Sequence, residues 1–304
     1  MTKRTPGRFG AVLTAMVTPF DEAGELDLDG ALGLAKHLAD NGTEAVVLAG
    51  TTGEAPVLTD PERLDLFRAL AESLTIPVIA GSTTNDTAHS VQLTKAAEAA
   101  GVAGILAVTP YYNRPSQTGL GRHFTAVAQA TSLPVILYDI PIRTGRKIAT
   151  ETMLRLAREV PNIVGVKDAA GDVAGTARLL AEAPEGFQCY SGEDSITLPL
   201  LSVGAVGGIC VASHWVGREM AEMIAAFLAG DVEGARQLNA ATIDAVAFQT
   251  SDEAPNPMPA KAMLRAMGLP AGECRLPHGP APTWLEERAE GVLADLEEWR
   301  ASRG

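Results

Sequence analysis

Eight short runs rich in Val, Ile, Leu and Ala recur along the chain, at residues 11–18, 45–49, 77–80, 104–109, 134–138, 163–167, 187–191 and 208–212. Apolar and polar residues do not alternate within them, which is how strands covered on both faces read. Amphipathic segments of helical length, rich in Ala and Leu, separate the runs. A βα unit repeated eight times predicts a parallel sheet, and eight parallel strands close most simply as a (β/α)8 TIM barrel. An open doubly wound sheet usually has fewer strands and a G-x-G-x-x-G turn after the first. Here Thr18-Pro19-Phe20 follows the first run.

Local signals agree with that rhythm. Thr59-Asp60-Pro61-Glu62 opens a helix with a capping hydroxyl, a first-turn proline and an acid where the macrodipole favours one. Asn85-Asp86-Thr87 and Ser116-Gln117 are similar openings. The eighth helix is expected to end near Gly230, and helical patterns at 231–250, 259–267 and 282–301 predict a C-terminal helical appendage. The expected organisation is a barrel domain over residues 1–230 and a helical domain over 231–304, and 304 residues suffice for both.

Charge and cysteine usage narrow the partners. The chain carries 37 acidic and 24 basic side chains, a net charge of −13, with no basic block. Nucleic acid and anionic membrane surfaces are therefore excluded as expected partners. Cys189, Cys210 and Cys274 are far apart, with no C-x-x-C and no paired histidines, so neither a disulfide framework nor a zinc site is expected and the location reads as cytoplasmic. The start, with Lys3, Arg4 and Arg8, runs into a strand pattern that lacks a signal-peptide cleavage site. The least polar long segment, 199–212, is broken by Ser202 and glycines and is too short for a membrane span.

In a barrel of this kind the site is built where the strands end, so the residues closing each apolar run carry the information. The second run ends in Gly50-Thr51-Thr52-Gly53-Glu54, the fourth in Thr109-Pro110-Tyr111-Tyr112-Asn113, the fifth in Tyr138-Asp139-Ile140-Pro141 with Arg143 beyond, and the sixth in Lys167-Asp168. Lys167 is the sharpest signal. The other lysines, at 3, 36, 95, 147 and 261, fall in termini, loops or helical patterns. An ammonium at the end of a buried strand loses solvation, and a neutral amine is what attacks a ketone to form a Schiff base. The competing reading is a structural ion pair with Asp168.

Tyr138 ends the adjacent strand, where its hydroxyl could move protons to and from an imine; a strand tyrosine can equally be core filler. Thr51 and Tyr112 could relay those protons. The glycines of Gly50-Thr51-Thr52-Gly53 suggest a loop whose amides face a carboxylate, since the lysine of a phosphate loop is missing. Arg143 has the planar fork that suits a carboxylate, although a lone loop arginine also serves as a solvated charge. Tyr111 and Tyr112 cannot both face one pocket easily, so one is expected at a subunit contact. The five histidines form no metal pattern.

Together, Gly50-Thr51-Thr52-Gly53-Glu54, Val108-Thr109-Pro110-Tyr111-Tyr112-Asn113-Arg114-Pro115, Leu137-Tyr138-Asp139-Ile140-Pro141 with Arg143-Thr144-Gly145, and Gly165-Val166-Lys167-Asp168 closely resemble the dihydrodipicolinate synthases, of the pyruvate-dependent class I aldolase superfamily. Ser191-Gly192-Glu193-Asp194 and Asn256-Pro257-Met258-Pro259 match as well, and the resemblance runs from about residue 9 to the last helices.

The resemblance implies condensation of pyruvate with aspartate 4-semialdehyde to 4-hydroxy-tetrahydrodipicolinate, through a pyruvate imine on Lys167 and with no metal or organic cofactor. It implies a proton relay of Thr51, Tyr112 and Tyr138, with Tyr112 supplied by a neighbouring subunit. Thr52 and the backbone around Gly192 and Ile209 would hold pyruvate, and Arg143 the carboxylate of the semialdehyde. A homotetramer built as a dimer of dimers is implied too.

Two alternatives accompany it: an aldolase or dehydratase of a keto-deoxy sugar acid, such as the N-acetylneuraminate lyases with their usual Gly-Ser-Thr-Gly-Glu, and a catalytically dead barrel. In lysine-inhibited members the effector pocket has Ser, His, His and Glu where this chain has Ala55, Asp60, Arg63 and His89; Asn85 and Tyr111 are kept. Lysine is therefore expected to inhibit weakly or not at all.

Overall fold

The computed structural model describes residues 7–303. Eight strands, β1 (Val12–Ala15), β2 (Ala45–Leu48), β3 (Val78–Gly81), β4 (Gly104–Val108), β5 (Val135–Asp139), β6 (Ile163–Asp168), β7 (Gln188–Ser191) and β8 (Gly207–Cys210), pair in chain order and close on themselves as a barrel. Every pair is parallel, including the closing pair of β1 with β8. At that seam the backbones run so close that a Cβ on Gly207 would strike the Ala11 carbonyl oxygen.

Burial explains the unbroken apolar runs. Within one strand, neighbouring residues go to opposite cores: Leu13, Val47, Leu106 and Ile209 fill the barrel, while Val12, Val46 and Ile105 pack under the helices. Phe9, 7% exposed, plugs the N-terminal end of the barrel, and its N–H donates to the Tyr190 hydroxyl at 3.3 Å. The opposite mouth is left for polar residues.

The predicted helix openings are present. Thr59 and Glu62 cap helix Asp60–Ser73 reciprocally, Asp86 caps Thr87–Ala99, and Ser116 caps Gln117–Gln129. Gly230, in the left-handed region at φ 91°, ends helix Ser213–Ala229.

Three boundaries differ from the sequence expectation. β1 stops at Ala15 rather than 18. β8 stops at Cys210 rather than 212, because the N–H groups of Val211 and Ala212 turn to the Asp194 carboxylate at 2.9 and 2.6 Å. The pattern at 231–250 forms two helices, Val232–Ala241 and Ile243–Ala247. They part at Thr242, whose hydroxyl bonds back to the Leu238 carbonyl and competes with the helix ladder.

The last helices, Met258–Ala266 and Thr283–Ser302, pack on each other and on the barrel. Arg300 grips Glu219 at 2.7 Å, and Lys261 reaches Glu54 in the loop after β2. Among the described residues no helix is long and apolar enough to cross a membrane.

Candidate active site

The C-terminal mouth of the barrel holds a cavity of about 280 Å³. Thr51, Tyr111 and Arg143 line it from the segments after β2, β4 and β5, and Tyr138 from β5 itself. Lys167 and Tyr138 are register partners on β6 and β5, each only 4% exposed. The Lys167 amine lies 4.4 Å from the centre of the Tyr138 ring. Two chemically reactive side chains thus stand side by side at a buried strand end.

Gly192 follows β7 and makes this approach possible. A Cβ there would come within 2.9 Å of Lys167 Cγ, so only glycine lets the chain pass this close to the lysine stem. Ile209 is fully buried on β8, in the same interior cluster as Tyr138.

The loop after β2 is closed by its own backbone: Glu54 N–H donates to Thr51 O and Ala55 N–H to Gly50 O. Its left-handed residues are Ala49 (φ 50°) and Glu54 (φ 54°), not the glycines. Gly53 is needed for space, since a Cβ would meet the Ala49 nitrogen at 3.0 Å. Non-glycine residues in that region persist only where the surroundings hold them.

At Glu54 the hold comes from the appendage. The Glu54 carboxylate pairs with Lys261 Nζ at 2.7 Å, both side chains 1% exposed, and accepts the Arg275 N–H at 2.9 Å. Burial pushes the Lys261 amine down, opposed by Glu54.

Thr52 lies behind the cavity, 2% exposed, and its hydroxyl accepts from Asn256 Nδ2 at 3.0 Å. Its own proton is then free for another acceptor. The carbonyl of the same Asn256 accepts from Arg143 Nη2 at 3.4 Å. One appendage residue thereby joins both sides of the mouth.

Tyr112 is not part of this constellation. It is 88% exposed, with φ 71°, while Tyr111 faces the cavity.

Carboxylates surround the floor. Burial pushes Asp139 up to about 6, against the Ile148 N–H and Lys147 that hold it down. Asp194 is likewise pushed up to about 6 by burial, with Lys167 and the amides of Ala212 and Val211 opposing. Asp168 accepts from Thr176 Oγ1 at 2.5 Å and Ala170 N–H at 2.9 Å, so it has partners other than Lys167.

Sequence reasoning missed the parts played by Asn256, Lys261, Thr83 and Asp194. Thr83 lines the cavity and ties β4 down, its hydroxyl accepting the Val108 N–H at 2.8 Å. The readable signals were a Gly-Ser-Thr-Thr sequence directly after an apolar run, and a lysine amid Met258, Ala260, Ala262, Met263 and Leu264. Among the described residues, no group of three or more His, Cys, Asp or Glu side chains could hold a metal ion.

The family model described as the dihydrodipicolinate synthetase family matches residues 8–295. The 4-hydroxy-tetrahydrodipicolinate synthase of Moorella thermoacetica is 49% identical, over 96% of this chain and 98% of that protein. A crystal structure of a dihydrodipicolinate synthase from Bacillus anthracis superposes with a TM-score of 0.91 at 42% identity, covering 95% of this chain and 98% of that one. A structure of DHDPS from Cyanidioschyzon merolae with lysine bound gives 0.92 at 40% identity, covering 96% and 99%.

Proposed function

The chain belongs to the dihydrodipicolinate synthetase family, and from that premise we propose how its residues condense pyruvate with aspartate 4-semialdehyde into 4-hydroxy-tetrahydrodipicolinate, a lyase reaction of diaminopimelate and lysine biosynthesis. The observation that carries the assignment of roles is the Lys167 amine, buried at a strand end and 4.4 Å above the Tyr138 ring.

The amine of Lys167, once its proton has been given up, adds to the ketone carbon of pyruvate, and loss of water gives an imine. The Tyr138 hydroxyl protonates the departing oxygen and later receives the methyl proton. Losing that proton turns the imine into an enamine, whose carbon attacks the aldehyde; the aldehyde oxygen takes up a proton as the new bond forms. The amino group of the semialdehyde moiety then attacks the imine carbon, which closes the ring and frees Lys167. The imine is itself the electron sink, so neither a metal nor an organic cofactor is required.

Pyruvate's carboxylate sits against the Thr52 hydroxyl, whose proton Asn256 leaves free, and the backbone at Gly192 and Ile209. Arg143 takes the carboxylate of the semialdehyde from the cavity wall. Thr51 and Tyr112 pass the proton taken up at Tyr138 onward. Tyr112, exposed and outside its own cavity, serves the site of a second copy, and two such dimers form a homotetramer.

Borohydride in the presence of pyruvate should trap an adduct on Lys167, detected by mass. Lys167→Ala should abolish both adduct and turnover in an assay coupled to NADPH oxidation by the downstream reductase. An adduct that survives the substitution places the nucleophile elsewhere.

A further inference from the structure

Asp139 closes β5 one residue beyond Tyr138 and takes no part in the condensation chemistry. Its side chain is fully buried. One carboxylate oxygen accepts the Ile148 N–H at 3.0 Å, and the other accepts from Lys147 Nζ at 3.3 Å. Asp139 thus pins the far end of segment 140–148 to its near end, and Arg143 rides on that segment in the short helix Pro141–Thr144. Ile148 is itself fully buried, so its N–H has no solvent to turn to if the carboxylate is lost.

Within the segment the bonds are local. The Thr144 hydroxyl donates to the Ile140 carbonyl at 3.1 Å, and the Gly145 N–H to the Pro141 carbonyl at 2.8 Å. Arg143 itself reaches the Asn256 carbonyl at 3.4 Å. The guanidinium therefore takes its place largely from the backbone that carries it.

A carboxylate is a costly choice for this corner. Burial pushes it up to about 6, the Ile148 N–H and Lys147 oppose, and Asp168, its register partner on β6, adds to the push. β6 also carries Lys167, in register with Tyr138. Helix Gln117–Gln129 contributes the neutral Gln117, which donates to the Lys147 carbonyl at 2.9 Å, and the chain after β4 the neutral Thr109, which donates to the Tyr138 carbonyl at 3.1 Å.

We propose that Asp139 is the positioning residue for Arg143: it ties Ile148 and Lys147 to the end of β5 and so sets the place of the guanidinium that receives the aldehyde's carboxylate. The proposal rests on the role given to Arg143 and adds that the aldehyde side depends on the charge of Asp139. Protonation leaves a carbonyl oxygen for the Ile148 N–H but releases Lys147, so the tie loosens as pH falls through about 6.

The test is the KM for aspartate 4-semialdehyde between about pH 5.5 and 8, at saturating pyruvate, in the assay coupled to the downstream reductase. A guanidinium does not titrate in that range. Wild-type KM should rise about threefold towards the acid end, as a charged hydrogen bond gives way to a neutral one. Asp139→Asn, which matches the protonated side chain, should keep KM at the raised level at every pH. Asp139→Ala also strands the buried Ile148 N–H and should raise KM roughly tenfold. Lys147→Met, at a partly exposed position, removes the cation that holds Asp139 down and should move the rise to higher pH. In each variant kcat and borohydride trapping of pyruvate on Lys167 should fall far less than KM rises, whereas a merely structural role would lower all three together.

A wild-type KM without pH dependence would overturn the proposal. So would a pH dependence that survives Asp139→Asn, which would pass the titration to Asp194, the other carboxylate pushed up to about 6. If Arg143→Gln leaves the KM for the semialdehyde unchanged, the reading of Arg143 fails and the proposal with it. If Arg143→Gln raises that KM while the Asp139 and Lys147 variants do not, the reading stands and the tie alone is refuted.

Discussion

The buried pair between Lys261 and Glu54 makes a demanding test, because it joins a helix near the end of the chain to the loop that carries Thr51 and Thr52. Lys261→Met keeps the volume of the stem and removes the amine, leaving the Glu54 carboxylate 1% exposed with the Arg275 N–H as its remaining partner. Removing one member of a buried ion pair costs about 3–5 kcal/mol, since the other charge stays desolvated. With an unfolding entropy of about 2.1 cal/mol/K per residue, a chain of 304 residues loses roughly one degree of Tm per 0.6 kcal/mol. The expected fall is about 5–8 °C.

Scanning calorimetry of the pyruvate-free protein reads that fall. The double variant Lys261→Met with Glu54→Leu should recover most of it, because neither charge is then buried. Turnover of Lys261→Met should drop through loosening of the β2 loop, while borohydride still traps pyruvate on Lys167. A Tm within a degree of wild type, or a double variant that melts below the single one, would refute the reasoning.

Tyr138→Phe should lower kcat about 10²–10⁴-fold, the usual contribution of a positioned acid–base group, with an unchanged Tm. Turnover at the wild-type rate would remove the phenol from the relay. Arg143→Gln should raise KM for the aldehyde roughly ten- to a hundredfold, the loss of a charged hydrogen bond worth about 1.5–3 kcal/mol, with pyruvate trapping intact; a KM change confined to pyruvate would count against the role given to Arg143. The pH dependence of stability follows from four buried groups. Asp139 and Asp194, raised to about 6, contribute stability present below about 4 and lost as pH rises through 6. His123 and His214, lowered to about 4 by burial, contribute stability present above about 6.5 and lost as pH falls through 4. Their slopes oppose each other between about pH 4.5 and 6, so Asp194→Asn should make stability rise with pH there, by up to about 1.4 kcal/mol per unit. A Tm profile unchanged by that substitution would contradict the sign.

The barrel was legible because a strand covered on both faces has no polar phase, and Val46-Val47 or Leu106-Ala107 divide between the two cores without any alternation to mark it. Lys167 was legible for a related reason: an amine closing such a run must sit at the barrel mouth. Strand ends were less so, since β8 ends where Asp194 diverts two amides, and nothing in residues 208–212 reports a carboxylate from the preceding loop. The loop glycines also misled, because the left-handed positions fell on Ala49 and Glu54.

Local pattern carries least where a site depends on pairing across the chain. Lys261 reads as a lysine among apolar helix residues, and its partner is known only when Glu54, more than two hundred residues earlier, is placed beside it. Asn256 reads as a loop residue until its amide meets Thr52 and its carbonyl meets Arg143. Each of these contacts lowers the free energy of a strained or charged loop that sequence alone presents as self-sufficient. The appendage therefore bears on the candidate site: Glu54, one left-handed residue of the β2 loop, is held by Lys261 of helix Met258–Ala266, and separating the two should cost turnover before it costs the barrel.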